Sequence, residues 1–308
     1  MIKRTLGKTG FEVGAIGFGA WGIGGQWGPV EQQTALDAIH AAMNAGMNFI
    51  DTADAYGETP GTSEEFVGQA IRGKRDQVII ATKVGNFARR AGHPLAFTSP
   101  LHVELCCDAS LGRMKIDTID VYQCHIANLT EPDVYLEGME RLVAKGKVRY
   151  YGISTNSVDV VKAFDRDGKC SVVQLDYSLL NRTPEDALLP FCQERNIGTI
   201  IRGPLAKGVL ADKFTAETQF TDSVRQRWNE GDGRKGFLAQ LDEVAKLRFL
   251  AGADQTMAQA ALRYVISHPA VSVAIPGAKD VAQAQANAAA GAATLSDDPL
   301  RQVREALG

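Results

Sequence analysis

The stretch NFIDTADAYGETPGTSEEFVGQAIRGKRDQVIIATK, residues 48–83, contains the pattern that decides the fold. It begins with a short apolar run, NFID (48–51), continues with a helical pattern, SEEFVGQAIRG (63–73), and ends with a second apolar run, VIIATK (78–83). A strand, a helix and a strand in this order are typical of two parallel strands joined by a crossover helix.

The same alternation extends along the whole chain. Apolar or β-branched runs, each followed by a helical pattern, occur at 13–19, 48–51, 78–83, 118–124, 148–154, 171–177, 198–203 and 271–277. These runs are nearly continuous rather than alternating, as in parallel strands that are covered on both faces. The eight strand–helix units predict a closed (β/α)₈ TIM barrel, with a doubly wound open sheet as the alternative.

Two segments fall outside this repeat. KRTLGKTGFEV (3–13) predicts a β-hairpin in front of the barrel, with its turn at Lys8, Thr9 and Gly10. LSDDPLRQVREAL (295–307) predicts an extra helix outside the barrel that begins near Ser296. Because no Pro/Ser-rich linker divides the 308 residues, we expect a single domain over 1–308.

The composition excludes several classes of protein. A net charge of −3 gives no basic surface for nucleic acid or an anionic membrane, and no segment approaches the ~18 apolar residues of a membrane span. The first ten residues, MIKRTLGKTG, lack the apolar region of a secretory signal. The 5 cysteines contain no CxxC pair, so we expect reduced thiols in the cytoplasm and no metal site.

In a (β/α)₈ barrel, catalytic and binding residues lie at the carboxyl ends of the strands. Polar side chains stand at or near most of the predicted strand ends, at Asp51, Lys83, His125, Ser154, Gln174, Arg202 and Lys279. Tyr56 follows Asp51 in a Gly-flanked turn. We therefore expect Asp51, Lys83 and His125, from consecutive strands, to meet Tyr56 at one mouth of the barrel.

An aspartate, a lysine and a tyrosine at one mouth have a specific chemical use. A phenol has an ordinary pKa of about 10, and a nearby ammonium lowers that pKa because it stabilises the phenolate. Tyr56 beside Lys83 would then donate a proton near neutral pH, while Asp51 holds the lysine in place. His125 would hydrogen-bond a substrate carbonyl. This set of residues suits carbonyl reduction, in which an alkoxide is protonated as it forms.

Reduction also needs hydride, which a nicotinamide supplies and no side chain does. The usual glycine-rich fingerprint for such a cofactor is absent. FGAWGIGG (18–25) follows a strand but does not give GxGxxG at the start of a helix. A nicotinamide cofactor would have to bind by another route.

Several motifs, in order along nearly the whole chain, resemble those of the aldo-keto reductase family. They are FIDTADAYG (49–57), YQCH (122–125), QLDYSLLNR (174–182), PLAKGVLADKF (204–214) and IPGAK (275–279). The resemblance implies a (β/α)₈ barrel that binds NADPH at its mouth without a Rossmann fold, with NADH as the alternative cofactor.

The resemblance also implies roles for individual residues. Tyr56 is similar to the family's general acid, Lys83 to the lysine that lowers the pKa of that acid, and Asp51 to the partner of the lysine. His125 matches the residue that orients the carbonyl, and Trp21 and Trp27 are expected to form an aromatic wall for the substrate. The residues matched to cofactor contacts are Ala20, Trp21, Asp51, Ser154, Thr155, Gln174, Arg202, Gly203, Pro204, Leu205, Lys213, Gly277, Lys279, Gln283 and Asn287.

Two positions depart from the family pattern. Thr155 stands where the family often has asparagine, so one contact to the nicotinamide carboxamide is in question. Arg202 stands where many members stack an aromatic residue on the nicotinamide. Arg202 would stack through its guanidinium plane, weaken binding of the oxidised cofactor, or engage a substrate carboxylate or phosphate. A Lys279 that pairs with the 2′-phosphate would favour NADPH, unless Asp280 points at the same phosphate.

Three functions fit these observations. The first is NADPH-dependent reduction of an aldehyde or ketone, or the reverse oxidation of an alcohol or sugar. The others are an NADPH-binding redox sensor with little turnover and a Schiff-base aldolase that uses Lys83 as nucleophile. The segment 209–235 is long enough to act as a lid. We expect a small-molecule carbonyl or sugar substrate and a monomeric protein.

Overall fold

The computed structural model describes residues 1–308, and its main sheet is a closed ring of parallel strands. The strands of this ring, in spatial and chain order, are β3 (Phe18–Gly19), β4 (Phe49–Asp51), β5 (Ile79–Val84), β6 (Ile119–Cys124), β7 (Val148–Ser154), β8 (Val172–Asp176), β9 (Gly198–Arg202) and β10 (Val273–Ala274). The ring closes because the amides of Gly17 and Gly19 donate to Ala274 at 2.8 Å and to Pro276 at 3.0 Å. The predicted (β/α)₈ barrel is confirmed.

The predicted hairpin lies across the amino-terminal end of the barrel. Its strands are β1 (Lys3–Thr5) and β2 (Glu12–Gly14), paired antiparallel. The Lys8 amide donates to Asn196, just before β9, at 2.7 Å. The Arg4 guanidinium donates to the carbonyls of Ile266 and Val271, before β10. Because the hairpin covers this end, only the carboxyl-end mouth is open for chemistry.

Eight helices surround the barrel, one after each strand. They are α1 (Gln32–Asn44), α2 (Thr62–Ala70), α4 (Pro100–Met114), α5 (Asp133–Ala144), α6 (Val158–Phe164), α7 (Leu188–Glu194), α9 (Met257–Ser267) and α10 (Val281–Ala290). The extra helices are α3 (Phe87–Arg90), α8 (Gly231–Lys246) and α11 (Asp297–Leu307). None of these helices combines the length and the apolar character that crossing a bilayer requires.

The first and last barrel strands are shorter than predicted. The run 13–19 divides between the hairpin strand β2 and the barrel strand β3, because the chain turns there from the end cover into the ring. The run 271–277 keeps only two residues as strand, since Pro276 has no N–H for a ladder. Helix α8 begins at Gly231, so the irregular segment after β9 ends earlier than the predicted 209–235.

The two-residue period of the strands places the polar residues of the mouth inside the barrel. Phe49 and Ala81 belong to the apolar cluster that fills the barrel interior. Asp51 and Lys83 lie two residues further along β4 and β5, so they point to the same side, one layer nearer the mouth. Thr82 points outward instead, and its hydroxyl donates to Glu64 of α2 at 2.6 Å.

Two glycines in helices test the packing of α2 on α4. A Cβ on Gly68 would lie 2.3 Å from the Met114 carbonyl oxygen, whereas a Cβ on Gly112 would meet nothing within 4 Å. We expect Gly68→Ala to lower the free energy of unfolding by about 1–3 kcal/mol through overpacking. We expect Gly112→Ala to raise it by up to ~1 kcal/mol through helix propensity. Urea unfolding of both variants measures this, and changes of the same sign would contradict the packing described.

Candidate active site

The mouth of the barrel is organised around the ammonium of Lys83. Its Nζ donates to Asp51 Oδ1 at 2.6 Å, to the Thr52 carbonyl at 2.8 Å and to Tyr56 Oη at 3.3 Å. An ammonium has three donors, so all of them are used. The Lys83 and Asp51 side chains are 0% and 2% exposed. The four-residue constellation predicted from the strand ends therefore includes a fully buried ion pair.

The second carboxylate oxygen of Asp51 is held by two side-chain amides. Gln174 Nε2 donates to Oδ2 at 2.7 Å, and Gln123 Nε2 approaches the same oxygen at 3.4 Å. Since a carboxylate accepts and does not donate, this contact fixes which end of the Gln174 amide faces Asp51. Asp51 thus connects the lysine of β5 with the amides of β6 and β8.

The ion pair keeps Lys83 protonated. Burial alone would lower the pKa of Lys83, but Asp51 and Tyr56 act against it and the net pKa is raised. A Schiff-base lysine must be neutral to attack a carbonyl. A charged Lys83 with all three N–H groups occupied does not suit the aldolase hypothesis.

Tyr56 Oη accepts a hydrogen bond from Lys83, and the phenolic O–H remains available to donate. Because Lys83 Nζ donates to Oη, the phenolic hydrogen points elsewhere, and the open side is the mouth. Burial raises the pKa of Tyr56, while the Lys83 charge lowers it. Lys83 acts in the predicted direction, but the prediction of a net lowered pKa is wrong for this structure, because burial is the larger influence.

His125 lies across the mouth from Tyr56, with the two rings at 80° and their centroids 5.9 Å apart. Burial, followed by the charges of Lys83, Arg202 and Arg89, holds the pKa of His125 well below its ordinary value. The imidazole is therefore neutral at neutral pH. Its Nδ1 is buried without a partner, so we assign the single ring proton to Nε2, which can donate into the mouth.

The first long loop brings aromatic side chains to the same place. Trp21 stacks on Tyr56 with centroids 5.8 Å apart, and Trp27 packs edge-on against Trp21 at 4.8 Å. Gln26 Oε1 accepts from Trp21 Nε1 at 2.9 Å and from the Gly57 amide at 3.1 Å. Gln26 therefore fastens this loop to the turn that carries Tyr56, and the wall predicted from Trp21 and Trp27 lies at the mouth.

The residues predicted to hold the nicotinamide carboxamide differ in how many of their polar atoms are already hydrogen-bonded. Gln174 Oε1 is buried and unpartnered, so it can accept from a carboxamide N–H. Ser154 is buried beside Gln174 in the sheet register. The Thr155 hydroxyl, however, donates to the Ala127 carbonyl at 2.6 Å and accepts from the Ser157 amide at 3.1 Å. Its role as a carboxamide ligand stays a prediction, and one lone pair of this hydroxyl is left to accept from such a group.

Arg202 lies at the rim of the mouth rather than turned away from it. Its Nη2 donates to Asn156 Oδ1 at 2.9 Å, and its Nη1 lies 3.7 Å from Asp176 Oδ2. The loop beyond it has left-handed backbone at Gly203 (φ 65°), Ala206 (φ 47°) and Lys207 (φ 56°). Two consecutive non-glycine residues in this region store strain, and Pro204 and Leu205 lie between them and β9.

The residues predicted for the adenosine end lie together after β10. Lys279 donates from Nζ to the Trp27 carbonyl, and its amide donates to Gln283 Oε1 at 3.2 Å. Asn287 Nδ2 donates to the Gly277 carbonyl at 3.2 Å. Asp280 caps α10, accepting from the Gln283 amide at 2.8 Å, so its carboxylate is already engaged.

The remaining predicted contacts flank this group. Lys213 is exposed, with its Nζ 5.5 Å from the Phe214 ring. Ala20 is buried in the first loop, and its carbonyl accepts from Ser63 Oγ at 2.8 Å. Arg225 packs over the Trp27 ring at 5.2 Å, so the segment after β9 contacts the first loop.

Sequence reasoning missed four polar residues of the mouth, Gln26, Gln123, Asn156 and Asp176. Asn156 and Asp176 each lie two residues after a predicted site residue, and the strand period is a signal for both. Gln123 lies two residues after Val121 in β6, and Val121 belongs to the apolar cluster inside the barrel, so the same period places Gln123 inside as well. Gln26 lies inside a Gly-rich loop, where no sequence pattern indicates a site residue.

These features define the class of this protein as a barrel oxidoreductase. A (β/α)₈ barrel holds a buried Asp–Lys pair that is hydrogen-bonded to a tyrosine, and a neutral histidine lies opposite. No group of three His, Cys, Asp or Glu side chains is placed to hold a metal ion.

Comparison with known proteins gives the family. The model of the aldo/keto reductase family matches residues 15–307, and the chain belongs to this family. Aldo-keto reductase YhdN of Bacillus subtilis is 31% identical over 317 residues, covering 100% of this chain and 94% of that protein.

Two solved structures are similar over nearly the whole chain. Aldo-keto reductase AKR11C1 from Bacillus halodurans, in its holo form, has a TM-score of 0.83 at 29% identity, covering 99% of this chain and 96% of that one. An aldo-keto reductase from Klebsiella pneumoniae in complex with NADPH has a TM-score of 0.77 at 30% identity, covering 99% and 95%.

The neutral state of His125 predicts a pH dependence of stability. Below about pH 6.5 the unfolded chain binds a proton at this histidine that the folded protein does not, so stability falls as the pH falls. We expect His125→Asn to remove this part of the decline, up to ~1.4 kcal/mol per pH unit between pH 6.5 and 5. Urea unfolding at several pH values measures it. Parallel stability curves for the native protein and the variant would contradict a buried neutral His125.

Proposed function

We propose that this protein reduces the carbonyl group of an aldehyde or ketone to an alcohol with NADPH, or catalyses the reverse oxidation of an alcohol or sugar. The observation that carries the proposal is the hydrogen bond of 3.3 Å from Lys83 Nζ to Tyr56 Oη, with Lys83 held by Asp51 at 2.6 Å. This arrangement places a proton donor and a fixed positive charge at one point of the open mouth.

Bound NADPH supplies the hydride that carbonyl reduction requires. The protein's part is to position the carbonyl oxygen and to provide a proton. Tyr56 Oη and His125 Nε2 donate to that oxygen from two sides, which orients the carbonyl and stabilises negative charge as it develops there. The wall of Trp21 and Trp27 closes the pocket on the side of Tyr56.

The proton passes from Tyr56 to the alkoxide oxygen. The O–H bond of the phenol breaks, a new O–H bond forms on the product, and a phenolate remains. The Lys83 ammonium, 3.3 Å from that oxygen, stabilises the phenolate. Asp51 holds Lys83 in place, and in the reverse direction the same phenolate accepts the proton of the alcohol.

The cofactor fits the residues available on β7, β8 and α10. Gln174 Oε1 is oriented to accept from the carboxamide, and Ser154 lies beside it. Lys279 and Gln283 at the start of α10 suit the adenosine end, and the engaged carboxylate of Asp280 does not oppose a phosphate there. Similarity to a relative crystallised with NADPH supports the same cofactor here.

The proposal also covers domain organisation, cellular location and oligomeric state. We propose that residues 1–308 act as one domain, in line with the continuous core between barrel and helices. The 5 cysteines are unpaired, which supports the cytoplasm as location. Sedimentation in solution tests the monomer that we expect.

Replacing Tyr56 tests the reaction. We expect the native protein to oxidise NADPH, followed at 340 nm, with 4-nitrobenzaldehyde as substrate, and Tyr56→Phe to lower kcat by ~10² or more because the proton donor is lost. Tyr150→Phe is the matched control, because Tyr150 packs on Phe11 at the covered end of the barrel. Equal turnover by the native protein and Tyr56→Phe would show that Tyr56 is not the acid. Cofactor binding without turnover in either protein would favour a redox sensor.

Replacing Lys279 tests the choice of cofactor. If its ammonium pairs with the 2′-phosphate, Lys279→Met raises the KM for NADPH by about tenfold and leaves the KM for NADH within about twofold. Lys3→Met, on the hairpin at the opposite end, is the control. A similar change in KM for both cofactors would instead indicate a general effect on the loop that Lys279 contacts.

A further inference from the structure

The first turn of α2 contacts the segments that carry Tyr56 and Trp21. Ser63, the second residue of this helix, is fully buried, whereas serines are mostly exposed in folded proteins. Its amide donates to the Tyr56 carbonyl at 3.2 Å. Its hydroxyl oxygen lies 2.8 Å from the Ala20 carbonyl oxygen and 2.9 Å from the Thr52 hydroxyl oxygen. One side chain and its own amide therefore join α2 to three segments of the mouth.

The hydrogens of these groups give the contacts a direction. A serine hydroxyl has one hydrogen and a carbonyl oxygen only accepts, so Ser63 donates to Ala20. Ser63 then has no hydrogen left for Thr52, and Thr52 donates to Ser63. The Thr52 carbonyl in turn accepts from Lys83 Nζ at 2.8 Å. A continuous path thus leads from the buried ammonium, through Thr52 and Ser63, to the residue before Trp21.

The first loop is attached to the rest of the mouth on both sides of Trp21. It is held at Ala20 by the serine hydroxyl. At Gly24 it lies against the turn that carries Tyr56, where a Cβ would be only 2.6 Å from Gly57 Cα. Trp21 stacks on Tyr56 with ring centroids 5.8 Å apart. The attachment at Ala20 therefore fixes the place of the indole beside the phenol.

We propose that Ser63 is a positioning residue for proton donation, because its hydroxyl keeps Trp21 in place against Tyr56. Gln26 fixes the indole N–H, and Ser63 fixes the backbone from which the indole extends. Without the serine hydroxyl, the buried Thr52 O–H loses its acceptor and the first loop loses a donor, so both segments shift. The inference rests on the proposed function, since it requires Tyr56 to be the proton donor.

The test is Ser63→Ala, with kcat/KM for 4-nitrobenzaldehyde measured at saturating NADPH. We expect a loss of about tenfold, because a displacement of about 1 Å at the reacting groups costs up to ~10² in rate. The solvent isotope effect on kcat/KM should rise, since proton donation by Tyr56 becomes more strongly rate-limiting. A smaller folded fraction would lower the rate without changing this isotope effect. The KM for NADPH should change by less than about threefold, because the residues matched to its phosphates lie on other loops.

Matched variants separate positioning from a general loss of stability. Ser272→Ala removes another buried serine hydroxyl, which accepts from the Thr199 amide at the amino-terminal end of the barrel. We expect it to leave kcat/KM within about twofold of the native value. Thr52→Val removes the hydroxyl that donates to Ser63 and keeps the shape of the side chain, whereas Thr52→Ser keeps the hydroxyl. Thr52→Val should lower kcat/KM by about threefold or more, and Thr52→Ser should stay near the native value.

Each outcome decides the inference. An unchanged kcat/KM in Ser63→Ala overturns it while the proposed function stands. A loss with an unchanged solvent isotope effect, or a loss that Ser272→Ala matches, also overturns it, because general destabilisation would then be responsible. If Ser63→Ala does not fold, the two Thr52 variants decide, and equal kcat/KM in both overturns the inference. Equal turnover by the native protein and Tyr56→Phe overturns the proposed function and this inference together.

Discussion

The ion pair between Lys83 and Asp51 is the interaction on which the rest of the mouth depends. Both side chains lie inside the barrel, and their charged atoms are 2.6 Å apart. A charge in such a place is tolerated only when it is paired and hydrogen-bonded, and breaking a buried pair typically costs ~3–5 kcal/mol. Here the pairing is complete on the lysine side, since Asp51, Thr52 and Tyr56 take its three donors. The hydrogen bond to Tyr56 is thus built into the way the barrel accommodates a buried cation.

The same carboxylate connects the acid side of the site with the cofactor side. One oxygen of Asp51 holds Lys83, and through it the charge beside Tyr56. The other oxygen holds the Gln174 amide so that its own oxygen remains open towards the proposed carboxamide. A single anion therefore orients both the group that moves a proton and a group that positions the hydride donor. Because Asp51 contacts both groups, the strand-end residues act as a set.

Much of the fold and site follows from sequence periodicity. Eight apolar runs with intervening helical patterns suffice for the barrel, and the strand-end rule brings Asp51, Lys83 and His125 to Tyr56. The lengths of the first and last strands could not be predicted from these patterns. Ring closure depends on hydrogen bonds between residues more than 250 positions apart, such as Gly17 and Ala274. Apolar runs identify strands, but they do not show where the chain leaves the ring.

Several features of the site depend on the folded structure in a similar way. The hydroxyl of Thr155 is used by Ala127 and Ser157, a competition that strand position alone does not reveal. The net pKa of Tyr56 depends on how far burial exceeds the effect of Lys83, and burial belongs to the folded structure. Gln26 contributes through two hydrogen bonds in an irregular loop, where no period applies.

The most direct test of this account is a double-mutant cycle on kcat/KM with Asp51→Asn and Lys83→Met, using NADPH and 4-nitrobenzaldehyde. If Asp51 acts through the charge of Lys83, each single substitution lowers kcat/KM by ~10² or more, and the double variant is within about threefold of Lys83→Met alone. Losses that multiply in the double variant would contradict the account, because Asp51 and Lys83 would then contribute independently.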